Sequence, residues 1–268
     1  MTPSMPNYEI VAIRYATVDR RARENFISTD LPDAPMPMDY FVWAIRGAGQ
    51  DFVVDTGFTE AAARSRKRRY LHCPVDGLRE LGIDPERVKD VILTHLHYDH
   101  SGNLGRFPAA TFHLQESEAA FATGKFMLDA SRQHAYDIED VVCAVRGTYA
   151  GRIQFHSGFG EVLPGITLHH VGGHTAGLQV VRVHTARGWV VLASDATHFY
   201  ANIRKRSPFP IVHDVGAMLE GFRLVESLAD GPDHIIPGHD PAVAARFPRV
   251  SGLDFEAVRL DLPPAAEA

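Results

Sequence analysis

Metal-binding side chains occur in this chain at a density and spacing that packing alone does not explain. Four of them, His95, His97, Asp99 and His100, fall within six residues, where the apolar stretch 91–93 runs into the small turn Ser101-Gly102. Imidazole and carboxylate suit first-row divalent ions, and two histidines one residue apart at a strand end point the same way because side-chain direction alternates. The alternation groups His95 with His97. Asp99 and His100 come where the backbone changes direction, which aims them at a neighbouring position and predicts two adjacent metals.

Three later segments repeat the order of apolar strand, turn and polar residue. Residues 167–171 lead through Gly172-Gly173 to His174, residues 190–193 through Ser194 to Asp195, and residues 234–236 through Pro237-Gly238 to His239. Ligands that follow strand ends converge at one edge of a sheet, where α/β proteins place their sites. Seven groups exceed the four of a tetrahedral zinc site, so the economical arrangement is a pair of ions sharing a carboxylate, with Asp195 as the bridge. The other histidines, His113 and His156 among them, read as structural or surface residues. Asp55, in the turn Asp55-Thr-Gly57, is either a hydrogen-bonding support for the ligands or a turn former.

The elements that must position these groups are short. Strand patterns cover residues 10–15, 40–46 and 51–54, which are expected to pair as consecutive antiparallel strands, and then 91–93, 111–113, 153–156, 167–171, 179–183, 190–193 and 234–236. Helical patterns cover 60–70, 75–81, 115–123 and 215–229; in the last, Met218, Phe222, Val225 and Leu228 keep helical spacing until Gly231-Pro232 stops it. Strands in both halves with helices between them indicate a layered α/β protein, read here as a single domain over 1–268. The basic run 64–69 is expected to be a solvated helix face. Met36, Met38, Phe41, Phe107, Phe126 and Met127 are either core or the lining of a pocket for an acyl chain.

Composition narrows the function. A chain of 268 residues with 27 basic and 33 acidic side chains has a net charge of −6, which speaks against nucleic acid as a partner. Two cysteines, Cys73 and Cys143, make no disulfide framework, and the N-terminus carries no apolar signal core, so the expectation is a cytoplasmic protein that does not engage a membrane. The unusual count is 15 histidines.

The segment His95-Leu-His-Tyr-Asp-His100 resembles the His-x-His-x-Asp-His signature of the metallo-β-lactamase superfamily. Gly173-His174-Thr-Ala-Gly177, Ser194-Asp195-Ala196 and Pro237-Gly238-His239-Asp240 resemble its later motifs, in the same order. The resemblance implies an α/β four-layer αβ/βα sandwich with the dinuclear metal site at one edge of the sheets. It implies one metal held by His95, His97 and His174, a second by Asp99, His100 and His239, and Asp195 shared. Two divalent ions are implied, zinc first, with manganese, cobalt and iron as alternatives. Within the superfamily the chain is most similar to the N-acyl-homoserine lactonases, which also carry Asp-Thr-Gly on an early strand. Where those enzymes place a substrate-contacting tyrosine, three residues after the bridging aspartate, this chain has His198, with Tyr200 close by; either is a candidate donor to the substrate oxygen.

Two such ions acidify a bridging water, so that hydroxide attacks the carbonyl of a small-molecule lactone or ester without a covalent protein nucleophile. Asp99 is the candidate proton shuttle, and His198 or Tyr200 the candidate oxyanion donor. The leading expectation is ring opening of a lactone, first an N-acyl-homoserine lactone. The alternatives are hydrolysis of another small lactone, an ester, a thioester or an organophosphate, and, from a different class, a metal-bound sensor of a signal ligand. The lack of a cysteine among the ligands counts against the commonest β-lactamase pattern, the lack of an appended domain against a nuclease, and His97 against the diiron flavoproteins, which have glutamate there. A homodimer is open.

Overall fold

Period-two alternation gives most strands two buried faces, and that layers the fold. In the computed structural model, which describes residues 5–265, β1 (Glu9–Val18), β2 (Met38–Gly47) and β3 (Gln50–Val54) form the expected antiparallel run. The strands that follow are β4 (Arg69–Tyr70), β5 (Asp90–Ile92), β6 (Thr111–Gln115), β7 (Ile153–His156), β8 (Phe159–Leu163), β9 (Ile166–His170), β10 (Gln179–Thr185), β11 (Gly188–Ser194), β12 (Ile235–Pro237) and β13 (Ala257–Arg259). One mixed sheet runs β13-β1-β2-β3-β5-β6-β7, with β4 also on β1; the other runs β12-β11-β10-β9-β8.

The two sheets face each other. Ile10 and Ala12 of β1 and Phe41, Trp43 and Ile45 of β2 pack with Val181 and Val183 of β10 and Val190 and Leu192 of β11. The intervening residues point outward and meet helices. On the first sheet Tyr40, Val42 and Ala44 pack with Ala63 of α1 (Glu60–Ser65) and with Val75 and Leu78 of α2 (Pro74–Glu80). Helices α3 (Tyr98–Ser101), α4 (Glu116–Ala122), α5 (Ala130–Gln133) and α6 (Ile138–Tyr149) complete this half, and α7 (Tyr200–Arg204), α8 (Val215–Leu228) and α9 (Ala242–Arg246) follow. On the second sheet Val180, Val191 and Ala193 pack with Met218, Phe222 and Val225 of α8, whose first turn is capped by Asp214 accepting from Ala217 N. The order helix, sheet, sheet, helix is the expected four-layer α/β sandwich.

Three local expectations need correction. The helix read over 60–70 ends at Ser65, because Lys67 takes φ +57° and turns the chain so that Arg69–Tyr70 pairs with β1. Helix α6 has no counterpart in the sequence reading: only Val141 and Ala144 are fully buried along it, while Ile138, Val145 and Tyr149 are exposed. Strands β8 and β13 are likewise additional. Among the described residues no helix is long and apolar enough to cross a membrane.

Candidate metal centre

All seven expected ligands meet at one end of the two sheets, and all are buried. Strand β5 stops at Ile92, so His95 and His97 follow its end, with His97 capping α3 and Asp99 and His100 inside that single turn. His174 follows β9, Asp195 follows β11 and His239 follows β12. The glycine before His174 is required twice over: Gly173 takes φ +84°, and a Cβ there would lie 2.6 Å from Met218 Cα of α8.

The ring nitrogens define two groups. His174 Nε2 lies 3.2 Å from His95 Nε2 and 2.9 Å from His97 Nδ1. Asp99, His100 and His239 form a second set whose ligand atoms all lie within 4.8 Å of one another. Asp195 stands between them: Oδ2 is 3.2 Å from His174 Nε2 and 4.0 Å from His95 Nε2, while Oδ1 is 3.3 Å from His100 Nε2 and 3.0 Å from His239 Nε2. Each carboxylate oxygen serves one group, as a bridging ligand requires.

The outward nitrogens show that these residues fit divalent ions. His174 Nδ1–H donates to the Ile211 carbonyl at 2.6 Å, His239 Nδ1–H to the Asp39 carbonyl at 2.8 Å and His100 Nδ1–H to Asp55 Oδ2 at 2.7 Å. Thr94 spends its only hydroxyl proton on Asp55 Oδ2, at 2.8 Å, so at its 3.1 Å contact with His95 it accepts from Nδ1–H. Four rings therefore turn Nε2 lone pairs inward. Lone pairs held that close repel unless a cation lies among them, and outer hydrogen bonds of this kind orient metal-binding histidines. His100 Nε2 is buried without a hydrogen-bond partner.

Electrostatics agree for His95 and His97, whereas His100 and His239 must release a proton to bind an ion. Burial, followed by the neighbouring imidazoles His100 for His95 and His174 for His97, pushes both pKa values well below the ordinary range and keeps the rings neutral. Burial opposes ionisation of Asp195, but His239, His198, His100 and His174 outweigh it and hold its carboxyl well down. Burial also works against charge on His100 and His239, yet Asp195 and Asp99, with Asp55 acting on His100 alone, outweigh it and raise both.

The residues around the ligands separate cleanly. Asp55 is a support and not merely a turn former: Oδ1 accepts from Thr94 N at 2.7 Å while Oδ2 holds His100, with its backbone at φ +59°. His198 lines the metal cavity, its ring stacked 3.3 Å from Phe209 and its Nε2 2.8 Å from Asp195 Oδ2. Tyr200 is not brought to the cluster; its ring lines a separate cavity with Ile203 and Arg204, so the expectation that it contacts substrate is corrected. Of the apolar residues weighed for an acyl pocket, Met38 alone lines the metal cavity, and Phe41 and Phe107 are core.

Sequence reasoning missed Glu118 of α4. This fully buried carboxylate accepts from Leu96 N at 3.0 Å and Tyr136 Oη at 3.1 Å through Oε1, and from Thr175 Oγ1 at 2.6 Å and Gly177 N at 3.2 Å through Oε2. It thereby ties the 95–97 loop to the 174–177 loop. Each bond spans 18 residues or more, and no local pattern announces it.

Comparison with known proteins points the same way. The model of the family described as the metallo-beta-lactamase superfamily matches residues 37–239. An N-acyl homoserine lactonase from a Bacillus species is 29% identical over 231 residues, covering 80% of this chain and 86% of that protein. A crystal structure of a quorum-quenching N-acyl homoserine lactone lactonase superposes with TM-score 0.72 at 22% identity, over 87% of this chain and 92% of the other. The hydrolase AbOPH superposes with TM-score 0.71 at 18% identity, over 94% of each chain.

Proposed function

Because the chain belongs to the metallo-beta-lactamase superfamily, as a metal-dependent hydrolase with a buried His/Asp cluster, we propose that it opens the ring of a lactone, first an N-acyl-homoserine lactone. Residues 1–268 act in this reading as one hydrolase domain. The observation that carries it is the two-sided Asp195, one oxygen toward each histidine group; the named lactonase relative supports the substrate class. His95, His97 and His174 hold one divalent ion, Asp99, His100 and His239 the other, and Asp195 is shared, with zinc the first candidate for both.

Bound there, the ions supply an acidified water and polarise the scissile carbonyl. The protein's own groups handle orientation and protons. Asp99 lies on the cavity wall, with Oδ2 3.7 Å from His100 Nε2 and 3.8 Å from His239 Nε2. It takes the proton released as the carbonyl is attacked and returns it to the departing ring oxygen, which leaves one hydroxy acid as product. With Tyr200 turned away, His198 is the remaining candidate beside the reacting oxygen; its Nε2–H is donated to Asp195 and its ring is stacked on Phe209, so it donates to that oxygen only by releasing Asp195.

Proton release by metal-replete protein tests the reading, against acyl-homoserine lactones, simple γ- and δ-lactones, a thioester, a β-lactam and a phosphotriester. The phosphotriester is included because AbOPH shares the fold. Turnover of lactones that disappears on chelation is expected. Silence on every lactone with turnover of another ester would discard lactone opening and retain the hydrolase. A His198→Phe protein with unchanged metal content and unchanged rate would remove the role given to that ring.

A further inference from the structure

We propose that Arg20 and Arg68 form an anion-binding wall of the metal cavity, so that the preferred substrate is a lactone whose acyl part carries a carboxylate. This rests on the lactone reading and narrows it. The basic run 64–69 is not the uniform solvated face expected of it. With α1 ending at Ser65 and Lys67 turning the chain, Arg66 and Arg68 fold inward and become half-buried. Arg66 lies 3.8 Å over the Tyr98 ring and donates to the Tyr136 carbonyl at 2.8 Å, fixing the wall that holds its neighbour.

Arg68 continues into the cavity. Its Nε donates to Tyr98 Oη at 3.1 Å and its Nη1 to the Arg66 carbonyl at 2.8 Å, which leaves Nη2 unused. Arg20 enters from just beyond β1, with Nη1 3.7 Å from Met38 Sδ and Nη2 3.2 Å from the Glu24 carbonyl, which leaves Nε unused. Both are half-buried, both line the cavity of about 190 Å³ that contains Asp99 and Asp195, and neither has a carboxylate within ion-pair distance among the described residues. Among other partly buried arginines, Arg14 pairs with Asp39 and Glu256 and Arg259 with Asp261, whereas Arg152 and Arg187 spend their guanidinium groups on backbone carbonyls away from the cavity.

Charge balance gives the unpaired pair its meaning. Two divalent ions would bring four positive charges, which the four buried carboxylates Asp55, Asp99, Asp195 and Glu118 balance, so none of these carboxylates is left over to neutralise two further guanidinium groups. Structure alone gives no reason to place them there, because partly desolvated like charges raise the energy of the folded chain. An anionic ligand reverses the sign of that interaction, and the free edge of a guanidinium matches a carboxylate in geometry. The carboxylate produced by ring opening belongs at the metals, so a second anionic group on the substrate is what the arginines would hold.

Matched probes test this: N-glutaryl-homoserine lactone, whose tail ends in a carboxylate, against N-pentanoyl-homoserine lactone, whose tail is neutral and of equal carbon count. Their ring-opened forms serve as binding probes in calorimetry, so affinity is read without turnover. Metal-replete protein is expected to bind the glutaryl product at least about tenfold more tightly than the pentanoyl product, with the preference shrinking as salt is raised. Arg68→Gln and Arg20→Gln, made separately, should each reduce that ratio severalfold, and Arg68→Lys should restore part of it. Equal binding of the two products by the unaltered protein overturns the proposal without any variant, as does a preference that survives both substitutions. If neither lactone is opened while the arginine-dependent preference persists, the lactone reading fails and the anion wall stands.

Discussion

Two histidine clusters, one at the shared end of both sheets and one on the first sheet alone, are built in opposite ways. In the metal centre, the outward nitrogens of His95, His100, His174 and His239 are spent on Thr94, Asp55 and two backbone carbonyls, and the inward nitrogens converge. On β5, β6 and β7, Asp90, His113 and His156 form a line: His113 Nε2 lies 3.1 Å from Asp90 Oδ1, and its Nδ1 lies 3.0 Å from His156 Nε2, with the two rings stacked at 5.3 Å. Both nitrogens of the middle ring are consumed, so no lone pair is left to converge with others. Crowding of histidines therefore does not make a metal site. What makes one is a second layer of acceptors that fixes the tautomer and leaves the inner nitrogens bare.

The sharpest break of this comparison removes the shared ligand. Asp195→Ala takes one oxygen from each histidine group, and kcat/KM should fall on the order of 10³-fold, the upper range for deleting a group that stabilises transition-state charge. Metal content by mass spectrometry should fall with it. A variant that kept two ions and a rate within tenfold of the original would show that convergence on Asp195 is incidental.

Stripping the ions tests the other side of the comparison. The converging lone pairs should make the apo protein less stable, because ions that bind only the folded chain stabilise it by about 2.7 kcal/mol per site when free metal is 100 times Kd. Calorimetry on holo and chelated protein reads the difference. The linear cluster has no such dependence: His113→Phe should leave the metal stoichiometry untouched, and a loss of either ion there would erase the distinction between the clusters.

A smaller change isolates the outer layer. Asp55→Asn keeps an acceptor for His100 Nδ1–H but removes the charge behind it, and affinity at the His100 ion should drop about 10- to 100-fold. Competitive titration with a chelator measures it, and the ion at His95, His97 and His174 should be affected less. Equal weakening at both positions would mean that Asp55 supports the loop as a whole, through its 2.7 Å bond from Thr94 N, more than it supports His100.

The same contrast explains what could be read before any coordinates. The seven ligands were legible because four sit in one hexapeptide and three follow apolar strands, patterns confined to a few residues. The strands around the inter-sheet core were legible for the same reason: Phe41, Trp43 and Ile45 alternate with residues of the other face. Helix α6 was not, since its exposed Ile138, Val145 and Tyr149 blur the apolar stripe that marks a helix. Glu118, Arg20 and Arg68 were not, because their meaning lies in contacts across the fold, and Arg68 in particular sat inside a basic run that reads as surface. Tyr200 was misplaced by proximity in sequence, two residues beyond His198 yet facing another cavity.

The smallest expected effect belongs to the linear cluster. Burial, then the neighbouring His113, lowers the His156 pKa below its ordinary 6.5. The unfolded chain therefore takes up its proton first as pH falls, so the stability present above pH 6.5 is lost progressively as pH drops from 6.5 through the folded-state value. His156→Gln should flatten that part of the stability curve. The effect is modest because the ring is only half-buried, and it is read from the difference between two urea-denaturation series run from pH 7.5 to 5, which cancels the contribution of the metal ligands common to both proteins. A variant curve parallel to the original throughout would mean that His156 titrates as a surface residue and that the His113 contact carries no charge sensitivity, leaving a neutral hydrogen bond and stacking to join the two rings.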